Sequence, residues 1–148
     1  MASIEQELNT RFTSEQMRFV MNMMFTASWM RNNTERFLEP YGLSGPQFNI
    51  LRILRGANDW LSMNTIKERM VEKSPHTTRL VTKLCDKELV DRNRSESDRR
   101  VVNVIITKKG LDMLARIDKT GVGLADFMDN VSDKEARLAS DIIDKLRE

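Results

Sequence analysis

The chain has 148 residues, 40% hydrophobic and 31% charged, with six Gly, three Pro and a formal net charge of +2. That length suits one domain, or two short lobes sharing long helices, and the composition excludes a low-complexity or disordered chain. No apolar run approaches the roughly 20 residues that cross a bilayer, no signal-peptide order opens the chain, and the lone Cys85 excludes an internal disulfide or a thiolate metal site. The expectation is a cytoplasmic protein with no membrane partner, no metal and no cofactor.

In chain order, residues 13 to about 37 carry apolar side chains at three and four spacings (Phe19, Met23, Met24, Ala27, Met30, Phe37), continuing to Leu38. This predicts a long helix, opened by a Thr13-x-x-Gln16 capping box and ended by Pro40 and Gly42. Ser44 with Gln47 opens a second helix that buries Phe48, Leu51, Ile53 and Leu54 and stops before Gly56. A short helix follows from about Asn64 to Val71, capped near Ser62, with Ile66 and Met70 four apart.

Ser74 is a good N-cap and Pro75 suits the first helical position, so the next helix is expected to start there. Residues 89–94 and 101–106 are β-prone runs separated by a polar tip at 95–99, which predicts an antiparallel hairpin. Thr107 caps a further long helix carrying Leu111, Leu114, Ile117, Leu124 and Phe127, in which Gly121 and Gly123 mark a bend or break. Ser132 with Glu135 opens a last helix expected to bury Leu138, Ile142, Ile143 and Leu146.

Charge is unevenly spread. From Arg92 to Lys109 six bases stand against two acids, although the whole chain is nearly neutral. At 100° per residue, the helix after Ser74 gathers Leu80, Val81 and Leu84 with Thr77 on one side. Pro75, Thr78, Arg79, Thr82 and Lys83 lie on the other, with His76 at the border. A short-chained, hydroxylated, basic face can enter a major groove and bond base edges and phosphates, although such a face is most often only solvated. The order of parts adds weight. A short helix, a turn, a helix with that face and a basic hairpin is the order of a winged helix-turn-helix, whose second helix enters the major groove and whose hairpin reaches the neighbouring minor groove.

The stretches SPHTTRLVTKLCDKELVDR and SESDRRVVNVIITKKGLDML resemble the MarR (multiple antibiotic resistance regulator) family of bacterial transcription factors. Asp98-Arg99-Arg100, the run Val101 to Ile106, and Thr107 with Gly110 match the family's wing pattern, and Ser74 through Leu84 its recognition helix. The resemblance implies a mainly α fold in a single domain over 1–148. Within it, a winged helix-turn-helix lobe over 44–106 has a small antiparallel β-hairpin as its wing. A helical dimerisation region over 13–40 and 107–148 is built from the N- and C-terminal helices. It further implies a homodimer bound to a pseudo-palindromic double-stranded DNA operator, acting as a repressor and associated with the bacterial nucleoid when bound.

The residues it points to on the recognition helix are Ser74, Pro75, His76, Thr77, Thr78, Arg79, Thr82 and Lys83. On the wing they are Arg94, Ser95, Asp98, Arg99 and Arg100, with Arg100 and Arg99 contacting DNA and Asp98 orienting the loop. The family commonly has glycine after the recognition helix where this chain has Glu88. A left-handed Glu there would be strained, so either the helix ends differently or the strain is tolerated.

Family members often answer to small phenolic or aromatic acids. The expected lining here is the methionine-rich first helix (Met17, Met21, Met23, Met24 and Met30) with Phe25 and Trp29, facing Phe48 and Leu51, with Arg31 or Arg52 as the cation for a carboxylate, although a methionine and aromatic stripe serves core or dimer interface more often. Cys85 is expected to be inert packing, and the lone His76 makes no zinc site. Without a phosphate loop, a nucleophile set or paired carboxylates, the chain reads as no enzyme. Two other readings stay open: a winged-helix adaptor for a protein partner, and a small-molecule-binding helical dimer without DNA function.

Overall fold

The computed structural model describes residues 2–120 and 125–148. Its helices are α1 (Ile4–Glu7), α2 (Glu15–Leu38), α3 (Gly45–Ala57), α4 (Met63–Arg69), α5 (Thr77–Asp86), α6 (Lys108–Lys119), α7 (Ala125–Met128) and α8 (Asp133–Asp144). The strands are β1 (Leu61–Ser62), β2 (Val90–Arg94) and β3 (Val102–Ile106). The expectations for Gly121, Gly123 and Leu124 lie outside the described residues.

Side-chain caps set most helix starts. Ser44 and Gln47 form a reciprocal capping box at α3, and Ser132 with Glu135 does the same at α8, as expected. At α2 the cap is Ser14, whose hydroxyl accepts the Met17 N–H at 3.1 Å. The expected Thr13 is therefore one residue early, because either hydroxyl suits the sequence pattern and only the backbone turn selects between them. A short helix, α1, was not expected; Ser3 caps it through Gln6, and it buries Ile4.

Helix α3 runs through Gly56 to Ala57 and ends on Asn58 in the left-handed region (φ 51°), so asparagine rather than glycine terminates it. Helix α4 is capped by Ser62 and ends at Arg69, two residues short of Val71, as Met70 turns to extended backbone. Helix α5 begins at Thr77 rather than at Pro75. Residues 75 and 76 form a turn in which the Ser74 hydroxyl accepts the His76 N–H at 3.1 Å.

The sheet has three antiparallel strands in the order β1-β3-β2, with β1 adding Leu61 opposite Val104. The hairpin was expected; the third strand was not, since two residues carry no alternation to read. On β2 and β3 the register pairs Val90 with Ile106, Arg92 with Val104 and Arg94 with Val102. Those six residues therefore share one face. The core lies between that face and helices α3 to α6. It contains Ile50, Leu51, Leu54, Ile66, Val81, Leu84, Leu89, Val104, Leu114 and Ile117.

The outer helices contribute little to this core. Within α2 only Leu38 is buried, and Met17 and Met24 are exposed. Helix α8 buries nothing: Leu138 is 60% exposed, and Ile142 and Leu146 are exposed with it. The expectation that α8 buries its apolar stripe is thus not met inside one chain, where none of the described residues covers it. No helix among the described residues is long and apolar enough to cross a membrane.

Candidate nucleic-acid interface

Helix α5 presents the hydroxylated, basic face as its outer surface. Pro75, His76, Thr78, Arg79 and Lys83 are exposed, Ser74 and Thr82 are half-buried, and Val81 and Leu84 point into the core. Thr77 does not belong to that face. It is 1% exposed, and its hydroxyl donates to the Ser74 carbonyl at 3.0 Å. It closes the turn that starts the helix, so its side chain has no route to a ligand, and its assignment as a contact residue is corrected on that ground. The Arg79 and Lys83 side chains have no hydrogen bond or ion pair among the described residues.

Several hydrogen bonds hold the C-terminal end of α5. The Leu89 N–H reaches the Leu84 carbonyl at 3.0 Å and the Glu88 N–H reaches the Cys85 carbonyl at 2.8 Å, the paired bonds of a Schellman turn. Glu88 occupies its left-handed position at φ 60°. The strain expected of a non-glycine there is therefore present and tolerated, because α6 grips the turn. The Thr107 hydroxyl, which caps α6 by accepting the Gly110 N–H at 3.1 Å, donates to the Glu88 carbonyl at 2.7 Å. Gly110 makes room for this: a Cβ there would lie 2.3 Å from the Leu89 carbonyl oxygen. At the same end, the Lys87 ammonium donates to the carbonyl of Gly42, itself left-handed at φ 64°. The direction in which β2 leaves α5 is fixed by these bonds.

The wing tip is closed by two backbone bonds, Ser95 N–H to the Val101 carbonyl and Val101 N–H to the Asp98 carbonyl, both 2.9 Å. Asp98 organises it. One carboxylate oxygen accepts the Arg100 backbone N–H at 3.0 Å and Nε at 3.2 Å, while the other takes Nη2 at 3.4 Å. The Arg100 backbone N–H, then its guanidinium, hold the Asp98 carboxyl below its ordinary 3.8. Arg100 is still 91% exposed along its side chain, so the fork aims the guanidinium without burying it. Arg94 donates to the Arg99 carbonyl at 3.1 Å, and the Ser95 hydroxyl accepts the Asp98 N–H. The Arg99 side chain is unpaired among the described residues. Wing and helix thus place Arg79, Lys83, Arg94, Arg99 and Arg100 at the surface.

One basic residue in this region was not singled out from the sequence. Arg92 donates through Nη1 to the Thr82 hydroxyl at 3.1 Å, and that hydroxyl donates to the Thr78 carbonyl at 3.0 Å. The signal was readable: Arg92 follows Val90 by two on a strand and so faces the same helix, farther out.

A cleft of about 720 Å³ opens between α2, α3, the segment after α4, the end of α6 and Met128 of α7. Its walls differ from the expected set. Met30 and Phe48 line it, but Leu51 is fully buried in the core behind, Met24 is 60% exposed outside the cleft, and Trp29 packs edge-on against Phe127 at 5.2 Å. A helical stripe does not say which of its members face a cavity and which face away. Three arginines stand in the cleft: Arg31 pairs with Glu72 at 3.0 Å, Arg55 pairs with Asp118 at 2.6 Å, and Arg52 lies 5.6 Å over the Phe48 ring. Cys85 is half-buried, and burial pushes its thiol above the ordinary value, away from the reactive thiolate.

Residues 43–102 match the MarR family model. The chain is 27% identical over 118 residues to the HTH-type transcriptional regulator MhqR of Bacillus subtilis (strain 168), covering 79% of this chain and 81% of that one. A crystal structure of a mutant E. coli MarR complexed with operator DNA superposes with a TM-score of 0.75 at 17% identity, covering 93% of this chain and 99% of that one. The organohalide-sensing regulator RdhR in its 2,4-dichlorophenol-bound form superposes at 0.74 and 18% identity, covering 90% and 80%. The family match falls on the segment that holds α5 and most of the hairpin, so over residues 43–102 the chain is similar to the MarR family.

Proposed function

We propose that this protein binds a pseudo-palindromic operator as a homodimer and acts as a repressor, with α5 in the major groove and the hairpin in the adjacent minor groove. The observation that carries the reading is the Asp98 fork. A carboxylate that fixes an otherwise exposed arginine at a loop tip pre-orients that cation toward something outside the chain. A narrow A·T-rich minor groove, with its concentrated negative potential, suits an inserted Arg100 or Arg99. On α5, Arg79, Thr78 and Lys83 supply base-edge and phosphate donors, with Ser74, Pro75 and His76 lying at its start. The DNA-bound E. coli relative has the same fold. We further assign a winged lobe over 44–106 and a dimerisation region over 13–40 and 107–148, because α2 and α8 leave apolar faces uncovered, while Leu38, Leu114 and Ile117 join that region to the lobe through the core.

The cleft fits a small aromatic or phenolic effector that releases the DNA. It offers an apolar wall at Phe48 and Phe37, and Arg52 has no carboxylate partner among the described residues. Glu72, which lies in the segment leading into α5, forms part of the same wall, so a bound ligand would touch the approach to the recognition helix.

Selection of bound duplex from a random pool tests the operator reading, followed by a screen of aromatic acids and phenols for release. A palindromic consensus is expected, and Arg100→Ala should weaken binding to it by about 1–3 kcal/mol without changing the oligomeric state. Protein that ignores every duplex even in dilute buffer overturns the reading.

A further inference from the structure

We infer that Arg92 is a phosphate anchor, contacting the sugar-phosphate strand that runs between the groove occupied by α5 and the groove occupied by the wing. The inference rests on the DNA-binding reading above and adds to it a residue at the junction of its two reading elements. A helix in a major groove and a hairpin in the neighbouring minor groove straddle the backbone strand that separates those grooves. That strand must pass over the crevice between α5 and β2, whatever the base sequence.

The Arg92–Thr82 hydrogen bond spans this crevice at 3.1 Å. Arg92 shares its sheet face with Val90, which is buried, and lies directly opposite Val104, which is also buried. Its stem therefore leaves the sheet at the margin of the core, and its guanidinium emerges beside α5 with the residue as a whole exposed. Thr82 is itself fixed, since its hydroxyl proton is committed to the Thr78 carbonyl at 3.0 Å and only its lone pairs are left for Arg92. The result is a planar cation held at one nitrogen by a helix-anchored acceptor. Of its five N–H groups one is used, and no carboxylate lies in ion-pair range among the described residues.

The neighbouring arginines differ. Arg100 is held by Asp98, and Arg94 is turned to the Arg99 carbonyl within the wing, away from α5. Among the described residues, Arg92 alone ties the hairpin to α5 by a side-chain hydrogen bond, and it keeps most of its donors free. A phosphate oxygen is the acceptor such a fork matches, and a guanidinium with its orientation already fixed loses less freedom on meeting it. Thr82 is on this account a positioning residue, acting through Arg92.

The experiment measures affinity against salt concentration for the full-length protein on two probes of equal length, a duplex selected by the wild type and a scrambled duplex. Loss of one phosphate contact makes the slope of log K on log salt shallower by about 0.9. Arg92→Ala is expected to do this on both duplexes and to lower affinity about tenfold on each. Arg92→Lys should keep the slope but bind more weakly, because an ammonium keeps the charge and loses the fixed fork. Thr82→Val should weaken binding less, keep the slope, and add nothing in the Arg92→Ala background. Arg92→Gln, which retains hydrogen-bonding capacity without charge, should follow Arg92→Ala in slope and guards against an effect of misfolding. A wild-type slope in Arg92→Ala and Arg92→Gln overturns the inference while leaving the regulator reading standing, as does a loss confined to the selected duplex. Wild-type protein that binds neither probe overturns both.

Discussion

Glu88 carries the clearest single-residue consequence. An L-residue in the left-handed region is strained by about 1–2 kcal/mol, and glycine relieves this while giving back about 0.4–1 kcal/mol through the freer unfolded chain. Glu88→Gly should therefore raise stability by about 1 kcal/mol in urea unfolding, even though it removes the 3.4 Å contact with Lys109. A loss of stability would mean the Schellman turn is not as described. At the wing, Asp98 has a depressed folded-state value, so its contribution to wing order is complete above the ordinary carboxylate range and fades only as pH falls through the depressed value. Because the backbone N–H of Arg100 is the larger cause, Arg100→Ala should return the Asp98 midpoint only part of the way to 3.8, read by carbon-detected NMR titration. Full return would place the cause in the guanidinium instead. Both residues were legible in sequence as to place and type. What the sequence left open at Glu88, strain or a different helix end, is decided by α6 clamping the turn through Thr107.

Among the elements, the junction of α5, β2 and α6 depends on one missing methyl group. With backbone on one side and Ile106 on the other, Gly110→Ala has no flexible neighbour to displace. It should destabilise the protein by about 1–3 kcal/mol, measured by thermal or urea unfolding, and an unchanged midpoint would contradict the close approach. Element types and order could be read from periodicity and capping boxes, most directly at Ser44 and Ser132, where cap and partner are both unambiguous. Boundaries slipped where two hydroxyls competed, as at Thr13 and Ser14, or where a Ser-Pro start was followed by a turn rather than a helix, as at Ser74. Strand β1 was invisible because two residues have no period. Thr78, Arg79 and Lys83 lie on the exposed side of α5 and Thr77 on the buried side, where the 100° spacing places them; only the resemblance had put Thr77 among the contacts. The face Arg92 shares with Val90 was legible from their spacing, but its partner Thr82 was not, because which helix covers β2 is a tertiary fact. The cleft was the least legible part, since a cavity is a property of packing and not of any one helix stripe.

Over the whole molecule, the uncovered faces of α2 and α8 set the prediction. Leu138, Ile142 and Leu146 recur along one side of α8 and its continuation, and Met17 and Met24 are open on α2. A second copy is expected to cover them, so the full-length chain should sediment as a dimer and Leu138→Asp with Ile142→Asp should dissociate it. A wild-type monomer at micromolar concentration would contradict that. Two wings and two recognition helices brought together by such a pairing define where a duplex must be touched. The measurement that bears most directly on this is hydroxyl-radical footprinting of the complex on a selected duplex. The account predicts two equivalent protected sets about one helical turn apart, roughly 10–10.5 base pairs centre to centre, each including a minor groove beside a contacted major groove. A single unrepeated patch, or protection that spares the minor groove, would contradict it.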